Sequence, residues 1–137
     1  MPSIRAKADI SSLPAIRDYV LNIAREADIK GDVPPKLDLV LEEVLVNVAN
    51  HAYGKHGGEI EVDCSVKETS DSRTFCFQMR DWGIYFDPLN VDKPDTTADI
   101  DERPIGGLGL LLVTTLADDC QYTRHDDMNI LTLSFNV

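Results

Sequence analysis

The stretch LDLVLEEVLVNVANHAYG, Leu37 to Gly54, decides the fold. Its apolar residues Leu37, Val40, Leu41, Val44, Leu45, Val48 and Ala52 recur in steps of three and four, the signature of one helix face. Leu39 and Val46 fall on the other side, so the pattern predicts a helix buried around most of its girth. Against that background Glu43, Asn47 and His51 stand at four-residue intervals. Each step of four advances about 40° around a helix axis, so the three form one slanting stripe along the edge of the apolar face. The plain reading of such a stripe is the solvated side of the helix. A helix apolar almost all round has little solvated side to offer, however, and a buried carboxylate has to be paired or used.

Working outward from this helix, the chain reads as alternating helical and strand patterns. Upstream lies a short opening strand, Ser3 to Ala8, then polar residues Asp9 to Ser12 suited to capping a helix from Leu13 to Ala27. Gly31 and the Pro34-Pro35 pair separate that helix from the central one. Downstream, Gly54, Gly57 and Gly58 end the helical period. From Glu59 the period becomes two, with Ile60, Val62, Cys64 and Val66 alternating with polar residues. A polar turn at Glu68 to Ser72 leads to a second strand in which Phe75, Phe77 and Met79 share a face, and the two predict an antiparallel hairpin ending at DWGIYFDP. Pro88 to Pro104, rich in proline and aspartate, has no periodicity and reads as a lid or a link. It runs into PIGGLGLLLVTTLADD, whose apolar part predicts a helix over Leu108 to Leu116. QYTRH, a DDMN turn and ILTLSFNV form a closing hairpin with Leu131, Leu133 and Phe135 on one side.

Length and composition narrow the functions available. With 137 residues, 43% of them hydrophobic, the chain fits one domain over 1–137. No apolar run reaches the roughly 18 residues of a membrane span, and MPSIRAKADISS lacks the layout of a signal peptide. A soluble cytoplasmic protein without a membrane partner is expected. Cys64, Cys76 and Cys120, widely spaced, read as small buried or half-buried thiols and not as a disulfide framework or zinc site. A formal net charge of −11 argues against direct nucleic-acid binding. A phosphate compound would have to be held by backbone N–H groups and a metal.

Two further motifs bear on that possibility. Asp81-Trp82-Gly83 stands where a core strand runs out. An Asp there can accept from a ligand's amine and a Gly gives clearance, although the same pattern is also ordinary turn chemistry. Trp82 and Phe86 beside it read as core aromatics. Gly106-Gly107-Leu108-Gly109 opens a helix after the long loop, either as an anion site made of free N–H groups or as a hinge. Walker, Rossmann and eukaryotic kinase signatures do not occur.

The order of these motifs, E-x-x-x-N on a helix, D-x-G at a strand end, a lid, then G-x-G opening a helix, resembles the ATP-binding domain shared by gyrase, ninety-kilodalton heat-shock chaperones, histidine kinases and mismatch-repair ATPases, the GHKL superfamily. LEEVLVNVANHAYG, DWGIYFDP, IGGLGLLLV and YTRHDDMNILTL look like the anti-sigma-factor serine/threonine kinases within it. One departure is Tyr85, where the superfamily has a second glycine in D-x-G-x-G.

The resemblance implies the α+β Bergerat fold: a two-layer α/β sandwich whose mixed, mainly antiparallel sheet is covered on one face by three helices. It implies ATP or ADP with Mg²⁺ in a pocket under a lid at about 88–105. Asn47 would bind the metal and Glu43 would be the catalytic general base. Asp81 would receive the adenine amine, with Gly83 giving room and Thr132 helping through a water. Gly107, Gly109 and Leu110 would hold phosphates, and His51 reads as structural. A histidine kinase would need a phosphorylatable histidine on a further domain, for which the length leaves no room, so the acceptor would be a serine or threonine on a small anti-anti-sigma (STAS-type) protein. A sigma factor would be the competing partner and the chain would act as a homodimer. The alternative within the same pocket is a nucleotide-gated binding regulator that transfers nothing.

Overall fold

A computed structural model describes residues 3–51, 53, 57–85 and 113–137. Strand β1 (Ile4–Lys7) leads through a 3-10 turn (Ile10–Ser12) into helix α1 (Leu13–Glu26), followed by α2 (Val33–His51), β2 (Glu59–Glu68), β3 (Arg73–Asp81), β4 (Asp119–His125) and β5 (Met128–Asn136). The strands form one sheet in the order β1-β2-β3-β5-β4, and all its described pairings are antiparallel.

The polar segment before α1 works differently from a simple helix cap. The Asp9 carboxylate accepts from the Ser11 N–H at 2.8 Å and so caps the 3-10 turn, while Ser12, at the head of α1, makes no side-chain cap. Pro14 sits in the first turn of α1, where a missing N–H costs nothing. Pro34 and Pro35 occupy the corresponding place in α2. Between the helices Asp28 (φ 61°) and Gly31 (φ 79°) take left-handed conformations that stop α1 and turn the chain.

Period two in the strands sorts the sheet into two faces. Ile60, Val62 and Cys64 from β2, Phe75, Phe77 and Met79 from β3, and Leu131, Leu133 and Phe135 from β5 point inward. They meet Leu13, Ile16, Val20 and Ala24 of α1 and Leu37, Val40, Leu41, Val44, Leu45 and Val48 of α2 in one core. Val113 and Ala117, bracketing a helical stretch at 113–116, join the same core as the described end of a third helix. Burial pushes the Cys64 thiol up to about 12, as expected of an inert core cysteine, while Cys76 and Cys120 are half-buried.

The central helix is not buried around most of its girth. Leu39 is 49% exposed, and Glu42 and Asn50 are exposed too. In a two-layer fold the sheet covers one side of α2 and α1 flanks it, so the remaining side meets water. Trp82 is likewise no core residue: it is 38% exposed, with the Arg5 guanidinium 4.7 Å from its ring centroid.

Candidate functional site

Asn47 is the anomaly of the helical layer. It is 5% exposed, buried among apolar neighbours on α2, and its side-chain oxygen Oδ1 has no hydrogen-bond partner among the described residues. An orphaned buried carbonyl oxygen costs about 1–3 kcal/mol and needs a reason. A carboxamide oxygen is a suitable ligand for a hard cation, and an orphan of this kind fits Mg²⁺. Among the described residues no three His, Cys, Asp or Glu side chains converge into a metal cage. A single protein oxygen of this kind suits a cation such as Mg²⁺ that keeps several of its waters. Glu43, one turn earlier on the same stripe, is half-buried and has no ion-pair or hydrogen-bond partner among the described residues.

The far end of this helix is tied to the end of β3. The Tyr53 hydroxyl donates to the Glu59 carbonyl at 2.6 Å and accepts from the Trp82 N–H at 2.8 Å. Gly58 makes room for the ring, since a Cβ at that position would come within 2.2 Å of it. The chain just beyond α2 is thus joined to the Asp81-Trp82-Gly83 turn.

Asp81 closes β3 on the inner face and is 5% exposed. Its Oδ1 accepts two hydrogen bonds, from the Gly83 N–H at 3.0 Å and from the Asn129 side-chain amide at 2.8 Å. No donor among the described residues reaches Oδ2. Burial raises the Asp81 pKa above its ordinary value, and the Asn129 amide, the Gly83 N–H and the Arg124 charge work against that rise. The Gly83 carbonyl accepts from Arg124 Nη1 at 2.8 Å, which fixes the far side of the turn.

Thr132 is not brought to Asp81. It pairs in register with Gln78, accepts from the Gln78 amide at 3.2 Å, and lines a polar recess of about 260 Å³ on the open face with Asp63, Gln121 and Ser134. The correction follows from strand alternation: Leu131 and Leu133 point into the core, so the residue between them points out. The residue that does stand beside Asp81 is Asn129, opposite it in the β3–β5 register. A polar residue on the inward parity of Leu131, Leu133 and Phe135 was the signal that could have found it. Gly107, Gly109 and Leu110, the lid at 88–105, Phe86 and the His51 side chain lie outside the described residues.

A family model described as "Histidine kinase-like ATPase domain" matches residues 6–135. The serine-protein kinase RsbW of Bacillus thuringiensis (strain Al Hakam) is 26% identical over 136 residues, covering 96% of this chain and 81% of that protein. RsbW of Bacillus anthracis (strain CDC 684 / NRRL 3495) is 27% identical over 141 residues with the same coverage. Among solved structures, the SiaB–SiaC complex from Pseudomonas aeruginosa contains a chain with the same fold, at a TM-score of 0.54 and 17% identity, covering 100% of this chain and 90% of that one.

Proposed function

The chain belongs to the histidine kinase-like ATPase domain family, and on that premise we propose that it is an ATP-dependent serine/threonine protein kinase acting as an anti-sigma factor. The observation that carries this reading is the buried Asn47, its Oδ1 without a partner among the described residues, one helical turn from Glu43, which likewise has none among them. Bound Mg²⁺ would neutralise charge on the phosphates during transfer. Asn47 would hold that ion through Oδ1. Glu43 would take the proton of the attacking serine or threonine hydroxyl, for which its carboxylate must come within about 3 Å of that hydroxyl or of a bridging water. Asp81 would accept the adenine amine at Oδ2, and Tyr53 and Arg124 would keep the turn around it in place. Gly107, Gly109 and Leu110 would receive phosphates at a helix start, with 88–105 as the lid.

The RsbW relatives are named serine-protein kinases, which supports a hydroxyl acceptor. The resemblance to anti-sigma kinases makes that acceptor a small STAS-type protein and the competing partner a sigma factor, bound by a homodimer in the cytoplasm. No helix among the described residues is long and apolar enough to cross a membrane. The net charge of −11 suits a basic partner.

The test is transfer of label from ATP, with Mg²⁺, to candidate STAS-type proteins. The wild-type chain is expected to label its partner, and Glu43→Gln to lose transfer while still binding nucleotide. Label transfer undiminished in Glu43→Gln would reject the assigned base. Nucleotide binding without a labelled partner would leave a nucleotide-gated regulator in place of a kinase.

A further inference from the structure

The carboxamide of Asn129 uses every hydrogen-bonding position it has. It is 4% exposed. Its Nδ2 donates to Asp81 Oδ1 and to the Ile84 carbonyl, each at 2.8 Å. Its Oδ1 accepts from the Tyr122 hydroxyl at 2.6 Å and from Arg124 Nη1 at 3.1 Å. Two donations and two acceptances saturate an amide, so Asn129 has nothing left to offer a ligand and its orientation is fixed. The consequence falls on Asp81. Both acceptances at Oδ1 come from N–H groups, which leaves Oδ2 as the oxygen that no donor among the described residues reaches.

We propose that Asn129 is the residue that sets base preference in the pocket: by donating to Asp81 Oδ1 it holds the carboxylate so that Oδ2 is presented as an acceptor, favouring a base with an amine at the six position over one with a carbonyl there. The proposal rests on the nucleotide reading above and goes beyond it, because Asn129 touches no ligand and acts through Asp81. Replacing the amide by a carboxyl at 129 removes the N–H donor that holds Asp81 Oδ1. Two carboxyl groups facing each other at hydrogen-bond distance retain a proton between them. That proton is used in the contact at Oδ1, so Asp81 gains no donor for a carbonyl base and presents Oδ2 as a weaker, less firmly oriented acceptor. Among the described residues the charged and titratable groups around Asp81 are Arg124 from β4 and Tyr53 from beyond α2, and neither is altered by the substitution.

The test compares binding of the Mg²⁺ complexes of adenosine and inosine triphosphate by calorimetry in the wild-type chain, in Asn129→Asp and in Asn129→Ser, with thermal melts of each. The wild type is expected to favour the adenosine compound by about 10-fold or more, the value of one well-made hydrogen bond against an unpaired buried group. Asn129→Asp should bring the two within about 3-fold, chiefly by weakening the adenosine compound while the inosine compound is little changed, and Asn129→Ser should fall between. A residue that only supported the wall would lower both affinities together. An unchanged ratio in folded variants, an equal loss for both nucleotides, or failure of both variants to fold would each overturn the proposal. A wild type that binds neither nucleotide would instead remove the nucleotide reading on which it rests.

Discussion

The Tyr53 hydroxyl accepts a hydrogen bond from the Trp82 N–H at 2.8 Å and thereby joins the chain just beyond α2 to the turn that ends β3. The helix leading to Tyr53 carries Glu43 and Asn47, and the strand leading to Trp82 carries Asp81, so this hydrogen bond ties the two elements at one point.

Tyr53→Phe is therefore expected to cost about 1 kcal/mol of stability and to weaken nucleotide binding several-fold. Gly58→Ala should do at least as much harm, because the new Cβ would have to displace the Tyr53 ring it meets at 2.2 Å. The two changes share one contact, so their costs should not add. Urea denaturation of Gly58→Ala, of Tyr53→Ala, and of Gly58→Ala in the Tyr53→Ala background checks this; full additivity would show that the ring and the glycine are independent.

The outward side of α2 gives a contrast within one helix. Leu39→Lys should change stability by no more than about 0.5 kcal/mol, since the residue is half in water. Leu41→Ala, two positions away and 1% exposed, should cost about 2–5 kcal/mol. Denaturant midpoints of the two variants measure the difference, and equal losses would contradict the two-layer arrangement.

This helix also marks how far local pattern carries. Ile60, Val62 and Cys64, or Phe75, Phe77 and Met79, declare their inward face by alternation alone, because a half-buried strand has one inner side. A helix with apolar residues on several sides does not say which of them a neighbour will cover, so Leu39 was placed inside. Asn47 was legible as an exception to an apolar pattern. Asn129 was not, because its relation to Asp81 depends on β5 pairing with β3 across 48 residues of sequence (129 − 81). Its inward parity was available; which strand lay beside it was not. Resemblance alone points to Thr132, against the parity of its own strand.

Asp81 links stability to pH in a direction opposite to that of a salt-bridged carboxylate. Its folded pKa is raised above the ordinary 3.8, mainly by burial. Such a group contributes its stability in full below the unfolded pKa and loses it as pH rises through the folded one. Between those two values the wild type should therefore lose stability with rising pH relative to Asp81→Asn. At neutral pH the variant, which keeps an oxygen for the Gly83 and Asn129 donors, should melt no lower than the wild type. It should nevertheless lose nucleotide affinity by about 10- to 100-fold, as the acceptor for the base amine is gone. Melting curves from pH 3.5 to 7.5 test the first part. A variant markedly less stable at neutral pH would mean that the charge of Asp81 holds the fold together.

Asn47 separates folding from function in the same way, by a different mechanism. Its Oδ1 lies buried without a partner among the described residues, so Asn47→Leu, of the same branching though larger, replaces an unsatisfied polar group by an apolar one. The free protein should be unchanged or more stable by about 1 kcal/mol. Ligand at about 100 times its dissociation constant should stabilise the wild type by about 2.7 kcal/mol. If Asn47 holds the ion, the magnesium-dependent part of that stabilisation should vanish in the leucine variant, while any contribution from the base at Asp81 remains. Thermal shifts with ATP alone, and with ATP plus Mg²⁺, distinguish the two parts. A leucine variant that still responds to Mg²⁺ as the wild type does would remove Asn47 from the metal site and leave its orphaned oxygen without a function.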